Sequence, residues 1–566
     1  MLRTITCNEL TKENVQEVTL CWVSNRRDHG GIIFIDLRDR YGITQVVFDP
    51  EDDKQSWLEA NDFRSEFVIQ VTKVRNRPEQ DNKNLKTDIE VIISKTRLLS
   101  KSKTPPFELD DFDLAGEDIR YKYRYIDLRR RKALENVTFR SNFLNFTRNW
   151  FASNEFLEVQ TPIFTVSSPE ARDFLVPSRI HPGKFYALPQ APQQYKQLLM
   201  VIDKYFQIAP CFRDEDPRAD RHACEFYQID CEMSFVEQED VFNVVESYIK
   251  DVVKSVSKKE VLDFSIISYD EALENYGSDK PDLRFGMKFV DLTDIFKNSD
   301  FSVFRNVCDT NVIKAIKLEQ TMSRKDIDDL TQVAIKAAKL AYIIYDAVEP
   351  KSPILKFFSD AEMKEMESRL EPKTDIIFFS ANEFKRAVSV LSVVRLALRD
   401  KFNLADNDKL SFAWIVDFPM FEQDEVTKLD FCHNPFSMPH GVEAFERQDL
   451  LNIKAIQYDL ACNYEILSSI RNHDVESLVK AFGIVRDKQE VMDKFGAMYE
   501  AFQYVPPHGF AIGMDRFMMI LKDEENIREV YAFPKSKAQD VMMNAPSVID
   551  QSQLDELHIE IKQIEL

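Results

Sequence analysis

One segment that should be an ordinary buried strand carries polar groups along one side. In Glu225-Phe-Tyr-Gln-Ile-Asp-Cys-Glu232, alternate positions read Phe226, Gln228, Asp230 and Glu232. Side chains of a strand alternate between its two faces, so these four share one face. Upstream lies Phe206-Gln-Ile-Ala-Pro-Cys-Phe-Arg-Asp-Glu-Asp216, a second apolar strand that ends in Phe-Arg-Asp-Glu. The connection between them holds Arg218, Asp220 and Arg221. A polar face of this kind looks at solvent or lines a site, and taken alone solvent is the simpler reading. A third segment, Pro506-Pro-His-Gly-Phe-Ala-Ile-Gly-Met-Asp-Arg516, runs from a small-residue strand into a helix over Arg516–Leu521. There Gly513 permits close backbone approach, and a helix N-terminus favours an anion such as phosphate. An ordinary strand–turn–helix reads the same way.

The 566 residues imply three or four domains, and 44% hydrophobic with 30% charged residues is a globular balance. The net charge of −22 argues against a general nucleic-acid binder, which must neutralise phosphates. The first 104 residues are balanced, with 17 Lys and Arg against 17 Asp and Glu. This segment and the basic stretch Arg120–Lys132 are therefore the candidates for RNA contact. No apolar run reaches the ~18 residues of a membrane span. Met1–Leu10 lacks a basic-then-apolar signal pattern, so a cytoplasmic protein without a membrane partner is expected. The eight cysteines form no CxxC pair and read as buried free thiols.

Residues 1–104 hold β-rich runs at Val18–Val23, Ile32–Asp36, Thr44–Phe48, Phe67–Val74 and Ile89–Ser94. About five strands in about 100 residues suit an OB-fold or another small β-barrel. Lys103-Thr-Pro-Pro-Phe107 and the acidic Glu108–Asp113 mark a linker. Apolar residues recur at helical spacing from Asn136 to Asn154, and Phe156-Leu-Glu-Val-Gln-Thr-Pro162 reads as a strand stopped by proline. Residues 286–408 mix Lys-rich helices such as Met322–Leu340 with short strands such as Asp375–Ser380, an inserted α+β module. The tail, Asp550–Leu566, reads as a polar helix.

Strand–Phe-Arg-x-Glu–loop–strand, followed by Gly-x-Asp-Arg opening a helix, resembles motifs 2 and 3 of class II aminoacyl-tRNA synthetases. The helix–strand–proline of Asn136–Pro162 resembles motif 1, the dimer interface of that family. A closer resemblance, over almost the whole chain, is to bacterial-type aspartate–tRNA ligases. It is carried by Tyr121-Lys-Tyr-Arg-Tyr-Ile-Asp-Leu-Arg129, Ser168–Arg179, Phe185–Gln193, Lys196–Met200, Tyr276–Arg284 and Ala532-Phe-Pro-Lys535. The resemblance implies a multidomain α+β fold. Its parts are an OB-fold anticodon-binding barrel (1–104), a hinge (105–135) and a class II antiparallel sheet of about six strands flanked by helices (136–285 and 409–548). An inserted GAD-type domain (286–408) and a C-terminal extension (549–566) complete it.

It also implies ATP-dependent joining of L-aspartate to tRNA. Joining two anions calls for cations and positioning more than for a base. Arg213, Glu215 and Arg516 are the expected catalytic residues. Glu170, Gln193, Lys196, Arg213, Gln228, Asp230, His433 and Arg471 are expected at aspartate, with Arg471 and Lys196 on its side-chain carboxylate. Asn434, where relatives often have a second histidine, is an open contact. Arg213, Asp214, Glu215, His222, Phe226, Glu465, Gly513, Met514, Asp515 and Arg516 are expected at ATP, and Asp459 with Glu465 at Mg²⁺. Arg27, His29, Phe34 and Gln45 are expected at the anticodon. The resemblance associates histidine at position 29 with enzymes that charge both tRNA(Asp) and tRNA(Asn), and leucine with strict ones. A homodimer is implied. The competing readings are a strict enzyme, an asparagine- or lysine-activating relative, and an inactive synthetase-like tRNA-binding protein.

Twelve glycines in 566 residues is about 2%, against a usual ~7%. The departures from the family pattern are mostly missing glycines. Pro169-Glu-Ala171 stands where the family has Pro-Glu-Gly-Ala, and Leu467-Ser-Ser469, Asn463-Tyr-Glu465, His508-Gly-Phe510 and Met200-Val-Ile-Asp203 are each one residue short. A deletion inside a strand moves every later side chain to the other face. The expectation is a natural polypeptide with glycines at these points, as follows if the cell reads a standard stop codon as glycine. Intact mass spectrometry of the protein purified from its native host will then give a mass above 66.2 kDa by whole glycine increments, and a mass equal to that value refutes the idea.

Overall fold

A computed structural model describes residues 3–9, 18–76, 91–112, 114–167, 172–335, 340–346, 349–423, 429–433, 437–441, 445, 449–462, 465–471, 480–481, 484–485, 489, 496–498, 500–501, 504, 508–536 and 539–562. The side chains of residues 8, 18–20, 73–76, 193–194, 333–335 and 465–471 lie outside that description. The chain divides into two compact units, residues 1–137 with 532–546, and residues 138–531 with 547–566.

The first unit contains a closed barrel of β1 (Val18–His29), β2 (Ile32–Arg38), β3 (Ile43–Phe48), β4 (Val68–Asn76) and β5 (Val91–Ser100), in the order β1-β2-β3-β5-β4. Closure removes exposed strand edges. β1 and β2 are joined by Gly30 and Gly31, at φ +63° and +88°. A two-residue hairpin turn that matches strand twist needs positive φ at both positions, which glycine supplies without strain. Along β2, Ile33, Ile35 and Leu37 are buried, whereas Ile32, Phe34 and Asp36 lie on the outer side.

The expected hinge corrects one expectation. Arg120, Arg124 and Arg130 are buried and converge on the buried Asp127, with Arg130 Nε 2.6 Å from Oδ1. Arg124 also donates to the Ala532 carbonyl at 2.9 Å. Arg129 pairs with buried Glu66. Arginines held this way cannot neutralise phosphates, so Arg120, Arg124 and Arg130 form a packed ionic core, and within the basic stretch Lys122, Arg131 and Lys132 are the exposed cations.

In the second unit, helix Arg131–Ser153 supplies Phe143 and Phe151 to the core, where Phe151 stacks on Phe206 with centroids 4.6 Å apart. The expected strand after it shrinks to Leu157–Glu158. The main sheet runs Ser265–Ser268, Ala413–Val416, Ala455–Ala461, Glu465–Arg471, His508–Gly513, Glu225–Met233, Lys204–Phe212, Leu157–Glu158. Six consecutive strands from Ala413–Val416 to Lys204–Phe212 are antiparallel, and the two outermost pair in parallel. One face of the sheet is apolar, with Ile229, Cys231, Phe510 and Ile512, and packs on helix Gln238–Val256 through Val241, Phe242, Val245 and Tyr248. The other face carries the polar row.

The inserted region forms its own five-stranded sheet, centred on Val312–Leu318, Asp375–Asn382 and Ala341–Tyr345 and covered by helices Arg324–Ile335 and Phe384–Phe402. Arg395 on the last helix fastens it to the preceding segment, donating to the carbonyls of Asp282, Phe285 and Gly286 at 2.8–3.0 Å. The tail is helical only over Gln551–Leu557 among its described residues.

Candidate active site

The polar row of Glu225–Met233 is not a solvent face. Asp230 and Glu232 are each 1% exposed, and Lys196, from a short helix at Gln193–Lys196, lies between them at 3.3 Å from Asp230 Oδ1 and 3.1 Å from Glu232 Oε1. Burial works against the Lys196 charge, but the two carboxylates outweigh it and hold the ammonium protonated. One cation does not balance two buried acids. Burial pushes both carboxyls above their ordinary range, against the pull of Lys196. Asp230 Oδ2 takes no hydrogen bond from a described residue. The cluster is arranged to gain stability from a further charged partner.

Beside it lies a cationic zone. Arg213 follows the Lys204–Phe212 strand and places its guanidinium 5.1 Å over the Phe226 ring. Its Nε is buried without a hydrogen-bond partner among the described residues. Arg516 donates from Nε to the Arg221 carbonyl at 3.3 Å. His222 registers the crowd of positive charge. Burial lowers its pKa first, Arg516, Arg213 and Arg218 lower it further, and only Glu215 opposes them. Arg213, Glu215, His222, Phe226 and Arg516 thus share one neighbourhood, at the open end of the two strands.

Two residues expected at the nucleotide have side chains committed elsewhere. Met514 is fully buried in the apolar core and offers no side chain to a ligand. Asp515 is a structural joint: its carboxylate holds Arg140 at 2.5 Å, the Tyr227 N–H at 2.7 Å and the Tyr531 hydroxyl at 2.8 Å. Gly513 pairs with Gln228 in the ladder, and Gln228 accepts from Cys211 Sγ at 3.3 Å. Asp214 donates its backbone N–H to the Arg172 carbonyl at 2.9 Å.

On the far side of the sheet face, the fully buried Asp459 stands 3.3 Å from His433 Nε2. Glu465 lies opposite Ala461 in the next strand, with Ile466 bulged out of the ladder. Ala461 is two positions from Asp459, so the two acidic positions fall in one row. Ser468 pairs with Asp459 and with Ala511, which pairs with Asp230. Arg471 pairs instead with His508, and His508 with Met233 of the core row. Arg471 is three positions from Ser468, and odd separations change face. One residue inserted between them returns position 471 to the Asp230 row. Glu170 and Asn434 lie outside the described residues.

Two contributors are absent from the expected site residues. Glu232 shares Lys196, and the same alternation that flagged Asp230 contained it. Gly509 sits where a Cβ would meet the Cys231 carbonyl oxygen at 2.2 Å, a close approach that no sequence pattern announces. On the barrel, Arg27 pairs across the ladder with Phe34, and Asp36 on the same outer face accepts from Arg27 at 2.9 Å and from Gln45 at 3.2 Å. Asp36 therefore orients two of the four residues expected there. His29 is exposed at the end of β1, beside the Gly-Gly turn.

A family model described as tRNA synthetases class II (D, K and N) matches residues 116–537, and one for an OB-fold nucleic acid binding domain matches 20–99. An aspartate–tRNA(Asp/Asn) ligase of Chlorobium phaeobacteroides is 48% identical over 97% of this chain and 94% of its own length. A protein of the same name from Rickettsia africae is 45% identical over 98% and 97%. The folds of a Pyrococcus horikoshii asparaginyl-tRNA synthetase complexed with asparaginyl-adenylate (TM-score 0.58, 18% identity, 95% of this chain and 99% of that one) and of a putative Leishmania major aspartyl-tRNA synthetase (0.59, 19%, 94% and 94%) match closely in extent. The chain belongs to the class II tRNA synthetases, in the family of the aspartate–tRNA ligases. The Chlorobium alignment runs over 571 positions, whereas 97% of this chain is only about 549 residues. The relative thus carries residues, spread through gaps, that this chain lacks.

Replacing Lys196 with Met leaves Asp230 and Glu232 without their buried cation. Breaking a buried pair costs about 3–5 kcal/mol, which a lowered denaturant midpoint will report. Lys196→Met with Glu232→Gln, which removes one of the two charges left behind, recovers part of that loss.

Proposed function

We propose that this protein activates L-aspartate with ATP and transfers it to tRNA(Asp) and tRNA(Asn). The observation that carries the proposal is the buried Lys196–Asp230–Glu232 cluster beside the Arg213–His222–Arg516 zone. Asp230, with an oxygen to spare, suits the α-ammonium of an amino acid, with Gln193 and Gln228 alongside. Lys196 and Arg471 are the cations assigned to the side-chain carboxylate, to which an amide would offer no charge. Glu170 and His433 complete the aspartate set.

Arg213 bridges the α-carboxylate and the α-phosphate, and its cation draws the two anions together as a carboxylate oxygen attacks phosphorus and pyrophosphate leaves. Phe226 offers a face for adenine, Glu215 holds the base end, and His222, Asp214 and Gly513 line the nucleotide. Arg516 clamps the distal phosphates. Asp459 and Glu465, hard oxygen donors in one row of the sheet, fit Mg²⁺, which neutralises phosphate charge when bound. The terminal ribose hydroxyl of tRNA then attacks the activated carboxyl and releases AMP.

On the barrel, Phe34 stacks on a splayed anticodon base while Arg27, fixed by Asp36, reads polar edges, with the buried Gln45 supporting Asp36 from behind. His29 underlies the relaxed choice of tRNA, a reading supported by the names of the relatives. A homodimer covers the apolar surface after motif 1. Ile163 and Phe164 are about half exposed, and Phe164 packs against Tyr186 of a hairpin that also exposes Leu175 and Phe185.

Aspartate-dependent ATP–pyrophosphate exchange tests the activation step. Exchange is expected with aspartate and not with asparagine or lysine, and Arg213→Ala should lower it about 10²–10³-fold. Exchange that ignores aspartate defeats the proposal. The tRNA choice is tested separately: the unaltered enzyme charges both tRNAs, and His29→Leu should reduce charging of tRNA(Asn) relative to tRNA(Asp) by about tenfold, or ~1.4 kcal/mol. Charging of tRNA(Asp) alone by the unaltered enzyme refutes the relaxed reading.

A further inference from the structure

A pair of thiols inside the barrel unit has no part in the chemistry above. Cys7 opens a short 3₁₀ turn at Cys7–Glu9, and Cys21 lies on β1. Both are buried, and their Sγ atoms are 3.0 Å apart. Each is held on a fixed backbone. The Cys7 N–H donates to Asp39 Oδ2 at 2.8 Å, and its carbonyl accepts from Thr44 Oγ1 at 2.8 Å. Cys21 is paired in the ladder with Ile69 of β4.

We propose that Cys7 and Cys21 form a reversible disulfide that pins the N-terminal turn to the barrel. A disulfide has S–S near 2.05 Å, so closing the bond asks for a movement of only about 1 Å. A metal fits less well, although Asp39 adds a third donor nearby. Two thiolates each about 2.3 Å from a tetrahedral zinc would stand roughly 3.8 Å apart. The Asp39 oxygens, moreover, already accept from the backbone N–H groups of Cys7, Tyr41 and Gly42.

The oxidant is a low-molecular-weight disulfide such as oxidised glutathione. One protein thiol, deprotonated during a local opening of the turn, attacks it to give a mixed disulfide and one free small thiol. The second protein thiol, losing its proton, displaces the other small thiol. The protein gives up two electrons and two protons, and the oxidant becomes two thiols. The hydrogen bond with Cys7, and burial beside Asp39, raise the Cys21 pKa, which makes the reaction slow in the closed state and dependent on that opening.

The test incubates the full chain in buffers of graded reduced and oxidised glutathione, alkylates the remaining thiols and maps cross-linked peptides by mass spectrometry without reduction. One Cys7–Cys21 cross-link is expected, leaving six of the eight cysteines alkylated. The oxidised protein should melt at a higher temperature, and dithiothreitol should reverse the gain. Cys21→Ala should abolish both effects. If that variant fails to fold, the dithiothreitol reversal in the unaltered protein still decides. Eight alkylated cysteines under the most oxidising buffer, a cross-link between other cysteines, glutathione bound only to the half-buried Cys432, or a stoichiometric metal at the pair would each overturn the proposal.

Discussion

One ammonium between two buried carboxylates organises the active-site face of this protein. Lys196 reaches the sheet from a helix outside it, so its ion pairs with Asp230 and Glu232 bind that helix to the sheet as well as setting local charge. Left alone, the group carries an excess of buried negative charge, which is costly. Arg213 and Arg516 lie in the neighbouring zone, where Glu215 opposes them and Arg218 is paired with Asp220.

Much of this arrangement is legible in the amino-acid sequence. Period-two alternation places Phe226, Gln228, Asp230 and Glu232 together, and the barrel strands follow from local chemistry. What alternation leaves open is whether the polar face meets solvent or a site. That depends on Lys196, which arrives from 34 residues away and marks no pattern of its own. The hinge misleads in a different way. Arg120, Arg124 and Arg130 look like a basic surface until Asp127 is seen among them. Asp515 reads as a ligand contact in the motif, yet its oxygens are consumed by Arg140, Tyr227 and Tyr531. For Lys196 and Asp515 a long-range partner decides between two locally equal readings, whereas at the hinge the partner lies three residues from Arg124 and Arg130.

The barrel shows the same dependence at smaller scale. Arg27 and Gln45 stand apart along the chain, but both are tied to one carboxylate. Asp36 accepts from both and fixes their heads beside the ring. His29 stands outside this network, exposed at the strand end. A residue outside the shared network can change identity without disturbing the others.

The register of the sheet bears on the chain itself. Asp459, Ser468, Ala511 and Asp230 occupy one row across four strands, and every expected aspartate or metal position on these strands falls in that row except Arg471. Arg471 misses it by one residue, in a strand that stands one glycine short of the family pattern. The neighbouring strand is short by one glycine as well, after Gly509. Adding one residue to each keeps Arg471 opposite His508 while moving both to the other row. Two deletions that cancel in the pairing of two strands, yet shift position 471 out of the row that holds the other expected positions, are not what selection on an active enzyme would retain. They are what systematic loss of one residue type would leave behind. The scarcity of glycine and the gapped alignment to relatives point the same way. The register of position 471 is therefore a matter of chain length and not of chemistry.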